Sequence, residues 1–245
     1  MQHTESSSLV LLRHGESEWN ARNLFTGWVN APLTEAGEQA ATRAGRLLAQ
    51  EGLWPDVVHT SVLRRTIRTA DLALAACDRD WVPARRSWRL NANHYGALQG
   101  RDKAEVAAEA GSVQVMLWRR SCAAAPPMAP VSHPHSQFDD PRYAGLPPEA
   151  RPRGESLDEV TARLLPYWFD VLVPALRAGQ CVLVVSHGNT LRALVRHLDR
   201  LADREVAELE IPTAAPLVYR VDADLRPARR GGQYLGPVTA VVGPG

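Results

Sequence analysis

Charge of one sign is what this chain lacks most plainly: 28 Lys and Arg against 27 Asp and Glu leave a formal net charge of +1 at pH 7. Binding nucleic acid or an anionic membrane would require a cationic surplus, so neither is expected as the main partner and any anion site must be local. Cysteine is scarce as well. Cys77, Cys122 and Cys181 are widely spaced and form no CxxC pair, which argues against a disulfide framework or a zinc site and suits a reducing compartment. No apolar run approaches the length of a membrane span, and the opening MQHTESSS has no apolar core of signal-peptide length, so the expected location is the cytoplasm. Ser/Gly-rich linkers and internal repeats are missing too, and 1–245 is expected to form a single domain with flexible ends at 1–7 and 236–245. There is no P-loop and no convincing carboxylate cluster. Ser132-His133-Pro134-His135 reads as a polar loop, and no metal is expected.

Two apolar runs end alike. Leu9-Val10-Leu11-Leu12 leads into Arg13-His14-Gly15, and Val182-Leu183-Val184-Val185 leads into Ser186-His187-Gly188. Short aliphatic runs closed by Gly read as strands buried on both faces, which places each His at the carboxyl end of a parallel strand. Open α/β sheets bind their ligands there. A single strand-end His is readily a packed core residue; two at equivalent positions read as a catalytic pair.

Between the runs the pattern is βαβαβ. A polar loop from Glu16 to Ala31 precedes a helix capped by Thr34 with a stripe of Ala40, Ala44, Leu47 and Leu48. A strand at Asp56 to Thr60, a helix capped by Ser61 carrying Arg64, Arg65 and Arg68, and a strand near Trp81 to Ala84 follow. From about 91 to 153 prolines are frequent and only Asp102 to about Arg120 is helical; so long an insertion is expected to form part of the cover of a site. Ser156-Leu157-Asp158-Glu159 has capping-box spacing and opens a helix that Pro166 is expected to kink. The second His-bearing strand, a helix with Leu191, Leu194, Val195 and Leu198 on one face, and a strand near Leu217 to Val221 complete the chain. The fold class is α/β, a mostly parallel sheet flanked by helices.

A histidine attacks phosphorus when one ring nitrogen is unprotonated and the other is fixed by a hydrogen bond. His14 suits that role. A transferring phosphoryl group needs cationic donors around its oxygens, and Arg supplies them in fork geometry. Arg13 adjoins His14, Arg65 lies just past the second strand, and His187 can serve the same group. Taken singly, each Arg reads as a solvated surface charge; their repetition beside strand ends argues for a site.

These residues stand within a longer series: Arg13-His14-Gly15-Glu16-Ser17, Trp19-Asn20, Phe25-Thr26-Gly27-Trp28, Thr60-Ser61-Val62-Leu63, His94-Tyr95-Gly96-Ala97-Leu98-Gln99-Gly100, Trp118-Arg119-Arg120, His187-Gly188-Asn189 and Ile211-Pro212-Thr213. In this order and spacing, from about Leu9 to Leu235, the chain resembles the cofactor-dependent phosphoglycerate mutases of the histidine phosphatase superfamily. The resemblance implies a fold of that type and an isomerase, shared by glycolysis and gluconeogenesis, that interconverts 2-phosphoglycerate and 3-phosphoglycerate. It further implies 2,3-bisphosphoglycerate as phosphoryl primer, no metal, and a homodimer. By the same resemblance His14 becomes phosphohistidine, gripped by Arg13, Arg65 and His187. Ser17, Asn20, Thr26, Gly27, Tyr95, Lys103, Arg119, Arg120, Gly188 and Asn189 contact the phosphoglycerate. The Trp-bearing segment with Trp54, Trp81 and Trp88 is a candidate dimer contact, although core burial explains any one of them.

The departures are as specific as the match. Members of the family read Asn-Glu-Arg-His-Tyr-Gly where this chain reads Asn91-Ala92-Asn93-His94-Tyr95-Gly96. The proton donor and acceptor of the family is therefore Ala92 here, and a substrate-pocket Arg is Asn93. A positioned acid or base contributes roughly 10²–10⁴-fold in rate, so phosphohistidine formation should survive better than turnover. Loss of the Arg fork should weaken carboxylate or phosphate binding. The Lys-bearing tail of the family is missing as well, since no basic residue follows Arg230. Glu16, Asp102, Glu105 and Glu155 are the nearby acids that might replace the glutamate, with Asp102 more simply a helix cap. Three readings compete: a mutase that is impaired or altered, a phosphohistidine-dependent phosphatase on a small phosphate ester, and a phospho-ligand-binding pseudoenzyme.

Overall fold

The computed structural model describes residues 7–222 and 224–236. Beyond Ser7 and Gly236, the two chain ends expected to be flexible lie outside them. Six strands form one sheet in the order β3-β2-β4-β1-β5-β6: β1 (Ser7–Arg13), β2 (Val57–Thr60), β3 (Ala84–Arg86), β4 (Cys181–Ser186), β5 (Leu217–Val221) and β6 (Gln233–Tyr234). The four strands β1 to β4 pair in parallel, whereas β5 and β6 close one edge in antiparallel pairing. The helices are α1 (Glu18–Ala21), α2 (Glu35–Gln50), α3 (Arg64–Ala76), α4 (Lys103–Ala110), α5 (Ser112–Arg120), α6 (Leu157–Tyr167), α7 (Val173–Arg177), α8 (Gly188–Asp199) and α9 (Asp203–Glu208).

Strand alternation divides the apolar side chains between two cores. Leu9 and Leu11 of β1, with Val182 and Val184 of β4, pack on one face against Val160 and Leu164 of α6 and Leu191 and Leu194 of α8. Val10, Leu12, Leu183 and Val185 point the other way, onto Ala44 and Leu48 of α2 and Ala70, Ala73 and Leu74 of α3. Because both faces are covered, the two central strands need aliphatic residues at every position, which is why they read as uninterrupted runs. Each such side chain contributes ~1.5–3 kcal/mol of burial. Among the described residues no helix is long and apolar enough to cross a membrane.

Several local expectations are corrected. β3 begins at Ala84 rather than Trp81; its residues are exposed, so nothing apolar marked it. Ser61 does not cap α3: the helix starts two residues later with Leu63 at its cap, and Ser61 Oγ accepts from the Leu63 N–H instead. The helix of the insertion is two helices, broken at Gly111 with φ of +87°. The most buried face of α2 is Gly37, Ala41, Ala44, Gly45 and Leu48, so that of the expected stripe Ala40 and Leu47 lie at its margin. Pro166 lies inside α6, and the irregularity follows it as a π-turn at Trp168–Leu172.

Candidate active site

Arg13 pairs in register with Ser186, so the two histidines step off neighbouring strands side by side. Their rings meet edge to face with centroids 4.9 Å apart. Gly15 is required immediately after, because a β-carbon there would collide with the carbonyl of Gly37 where α2 begins. That close approach holds the turn after β1 against α2.

The hydrogen bonds of His14 define its tautomer. Nδ1–H donates to the Gly15 carbonyl at 2.6 Å, and Nε2 accepts from Nε–H of Arg65 at 3.2 Å. Nε2 therefore carries the lone pair. Burial lowers the pKa of His14 well below the ordinary histidine value, and the charges of Arg65 and Arg13 lower it further. The ring is neutral at pH 7 with its proton on the far side, the form in which an imidazole can attack phosphorus. His187 is held neutral in the same way, chiefly by burial and then by Arg65 and His14. Its Nε2 lies 2.9 Å from Ser61 Oγ, and its Nδ1 is buried without a partner among the described residues. The Thr66 hydroxyl donates to the Leu63 carbonyl, so the Ser61 hydroxyl donates to Thr66 Oγ1 and accepts from His187 Nε2–H, which leaves the lone pair on Nδ1.

Arg65 spends two further donors on backbone, to Val29 and Gly27 at 2.8 Å each, which fixes its fork. Burial draws its pKa down to about 9, and it stays cationic at neutral pH. Arg13 donates to the Ile211 carbonyl at 2.8 Å and has a buried Nε without a partner among the described residues. These two guanidiniums and two imidazoles form the inner end of a cleft of about 740 Å³.

The structure brings all but one of the sequence-derived site residues to this cleft. Arg13, His14, Asn20, Thr26, Gly27, Arg65, Ala92, Asn93, Tyr95, Lys103, Arg119, Arg120, His187, Gly188 and Asn189 line it. Ser17 does not. It is fully buried and its hydroxyl caps α1, accepting from the Asn20 N–H at 3.2 Å. The insertion supplies the outer wall, as Phe25, Leu98, Val106 and Val115 pack together with Tyr95 and Trp118 against them and thereby fix α4 and α5 over the sheet edge. Lys103 opens α4 and is the only lysine in the chain. Burial, then the nearby Arg119 and Arg13, lower its pKa to about 8.

Reading the sequence missed Leu24, Arg192, Leu209, Glu210 and Ile211. Arg192 lies three residues beyond Asn189 on α8, which puts both on one helix face; that spacing was the available signal. Its guanidinium reaches Asn189 Oδ1, and the Asn189 amide donates to Asn93 Oδ1 at 2.5 Å. Glu210 precedes the Ile211-Pro212-Thr213 motif and is ion-paired to Arg120 at the rim.

The residues around Ala92 are rigidly held. The Ala92 carbonyl accepts from Trp28 Nε1 at 2.6 Å and Arg163 Nη2 at 2.8 Å, and the Asn91 carbonyl accepts from Thr190 Oγ1 at 2.6 Å. None of the four acids considered as replacements lines the cleft. Glu16 accepts from Thr34 Oγ1, Asp102 caps α4 through the N–H groups of Ala104 and Glu105, and Glu105 is exposed. Glu155 is buried in an ion pair with Arg163 at 2.6 Å and accepts the His94 N–H. Among the described residues the cleft has six cations (Arg13, Arg65, Lys103, Arg119, Arg120 and Arg192) and one carboxylate, Glu210. No group of three or more His, Cys, Asp or Glu residues among them could hold a metal ion.

A family model described as histidine phosphatase superfamily (branch 1) matches residues 9–140 and 129–226. The 2,3-bisphosphoglycerate-dependent phosphoglycerate mutase of Streptomyces griseus is 60% identical over 232 residues, 95% of this chain and 92% of that one. The same enzyme of Thermobifida fusca is 56% identical over 234 residues, 96% of this chain and 95% of the relative. Among solved structures, Bacillus stearothermophilus YhfR superposes with a TM-score of 0.71 at 23% identity, over 93% of this chain and 98% of that one.

Proposed function

The chain belongs to the histidine phosphatase superfamily, in the branch of the 2,3-bisphosphoglycerate-dependent phosphoglycerate mutases, and from that premise we propose that it moves a phosphoryl group between 2-phosphoglycerate and 3-phosphoglycerate through His14, with proton transfer limited by Ala92. Mutases of this branch are isomerases that are primed by 2,3-bisphosphoglycerate and need no metal. One observation carries the reading: a neutral His14 whose Nδ1–H is held by Gly15 and whose Nε2 faces Arg65.

The cleft suits the primer by charge. Six cations less the carboxylate of Glu210 leave about five positive charges, and two phosphates at ~1.5 to 2 negative charges each plus a carboxylate bring about four to five. When bound, 2,3-bisphosphoglycerate supplies the phosphoryl group that charges the histidine. Arg13 and Arg65 hold the transferring oxygens at the inner end, beside His187; Lys103, Arg119 and Arg120 hold the anionic groups farther out. Fixed cations in a buried site stabilise the charge on the oxygens of a transferring phosphoryl group without reorganising.

Incubation with 2,3-bisphosphoglycerate and 3-phosphoglycerate, following phosphohistidine, 2-phosphoglycerate and free phosphate together, tests the reading. The expected result is phosphohistidine in full and 2-phosphoglycerate slowly. Free phosphate as the main product replaces the mutase with a phosphatase, a reading that the change at 93 favours; phosphohistidine alone, with neither product, leaves a binding protein, the reading that Ala92 favours.

The cytoplasm remains the proposed location, on the balanced charge and the scarce cysteines. A homodimer is proposed as well. Trp81 is 69% exposed and Trp54 46%, beside the exposed edge strand β3, whereas Trp88 packs against Trp28 and the guanidinium of Arg89. A light-scattering mass of two chains at micromolar concentration supports this, and a mass of one chain refutes it.

A further inference from the structure

Phosphoryl transfer to His14 from an alkyl phosphate releases an alkoxide, whose conjugate acid is about as weak as water. Such an oxygen departs roughly 10²–10⁴-fold more slowly when no proton meets it in the transition state. Ala92 supplies no proton, and the segment bearing it is pinned by Trp28, Arg163 and Thr190, so no neighbouring acid is carried into its place. The one carboxylate of the cleft wall among the described residues, Glu210, is engaged by Arg120 at the rim. Lys103 has a pKa of about 8, but an anionic group bound beside it favours the charged form and holds its proton in place. The cleft thus has a nucleophile and an anion cradle without a matched acid.

We propose that the phosphoryl donor this chain uses best is an activated phosphate, an acyl or aryl phosphate, whose departing oxygen needs no proton. The proposal rests on the reading of His14 as nucleophile. In the step, the Nε2 lone pair of His14 forms a bond to phosphorus while the P–O bond to the leaving group breaks. The bonding pair departs on the carboxylate or phenolate oxygen. Nδ1–H stays donated to Gly15, and no proton changes hands. Leaving groups of this kind have conjugate acids at about 4 for a carboxylic acid and about 10 for a phenol, on the scale of Asp and Tyr side chains. The remaining requirement is charge stabilisation on the phosphoryl oxygens, which Arg13 and Arg65 retain in full.

The test measures the single-turnover rate of His14 phosphorylation from acetyl phosphate, p-nitrophenyl phosphate, phenyl phosphate and glycerol 3-phosphate. The expected rates fall steeply in that order, with glycerol 3-phosphate roughly 10³-fold or more below p-nitrophenyl phosphate, a span set by the weight of a missing acid. The variant A92E should raise labelling from glycerol 3-phosphate relative to acetyl phosphate by roughly 10²-fold. Labelling from glycerol 3-phosphate within about tenfold of phenyl phosphate in the parent overturns the proposal, because another group, Lys103 foremost, then supplies the proton. If no donor labels His14, the phosphohistidine reading falls first and the proposal with it.

Discussion

Two positions of this cleft, 92 and 93, depart from the family pattern, and their consequence can be measured. Ala92 removes the titrating group, and Asn93 replaces a charged fork by an amide whose oxygen is already taken by Asn189. Restoring both as A92E/N93R should raise mutase turnover by roughly 10²-fold or more, because the backbone that presents them is held and the remaining cradle is in place. N93R alone should act mainly on KM, since it adds charge without a proton to give. Steady-state kinetics on 3-phosphoglycerate separates the two. Equal turnover of parent and double variant would mean that another residue already transfers the proton. At this scale the sequence was most legible where a residue follows a strand: His14, His187 and Arg65 stand where the apolar runs placed them. Glu210 and Arg192 were not legible, because one is an exposed acid with no pattern around it and the other an Arg on an amphipathic helix.

The segment from Leu90 to His94 is a loop that behaves as part of the core. Arg163 of α6 donates to the carbonyls of Arg89, Asn91 and Ala92 and pairs with Glu155, both side chains being nearly inaccessible. Replacing Arg163 by Leu leaves the Glu155 carboxylate buried without its cation and frees three carbonyls. Breaking a buried pair in this way costs about 3–5 kcal/mol. Chemical denaturation is expected to show that loss together with weakened binding in the cleft; a loss under 1 kcal/mol would mean the pair is dispensable. The pairing was hidden in the sequence because Glu155 and Arg163 lie eight residues apart and meet across a turn and a helix, outside the spacings at which helical neighbours touch. β5 was read as a strand, but its antiparallel direction was hidden, and the two-residue β6 was not read at all. The connection before β5 holds α8 and α9, which could equally carry a crossover to a parallel strand, so nothing in the pattern gave the direction. Buried central strands could be read from composition alone, whereas the exposed β3 could not.

Among the described residues of the whole molecule four histidines are buried and held neutral: His14, His59, His94 and His187. His59 and His94 are lowered to about 4, both chiefly by burial. A depressed histidine pKa means that the unfolded chain takes a proton below 6.5 that the folded chain refuses. Stability is full above that pH and is lost as pH falls toward about 4. From pH 6.5 to 5 each of these two groups removes roughly 2 kcal/mol, at 1.36 kcal/mol per pKa unit. Thermal unfolding should lose on the order of 10 °C in Tm over that interval, and a Tm independent of pH would contradict the assignment of neutral buried rings. If 1–245 is one domain, as proposed, the transition is single and cooperative. The same neutrality underlies the nucleophilic role proposed for His14, so the expected acid sensitivity and the proposed chemistry share one cause, the desolvation of buried imidazoles. The most direct measurement is the stoichiometry of acid-labile phosphate on the chain after incubation with 2,3-bisphosphoglycerate until labelling is complete, with His14→Ala alongside. One phosphate per chain on the parent and none on the variant is the expected result; equal labelling of the two would contradict the account.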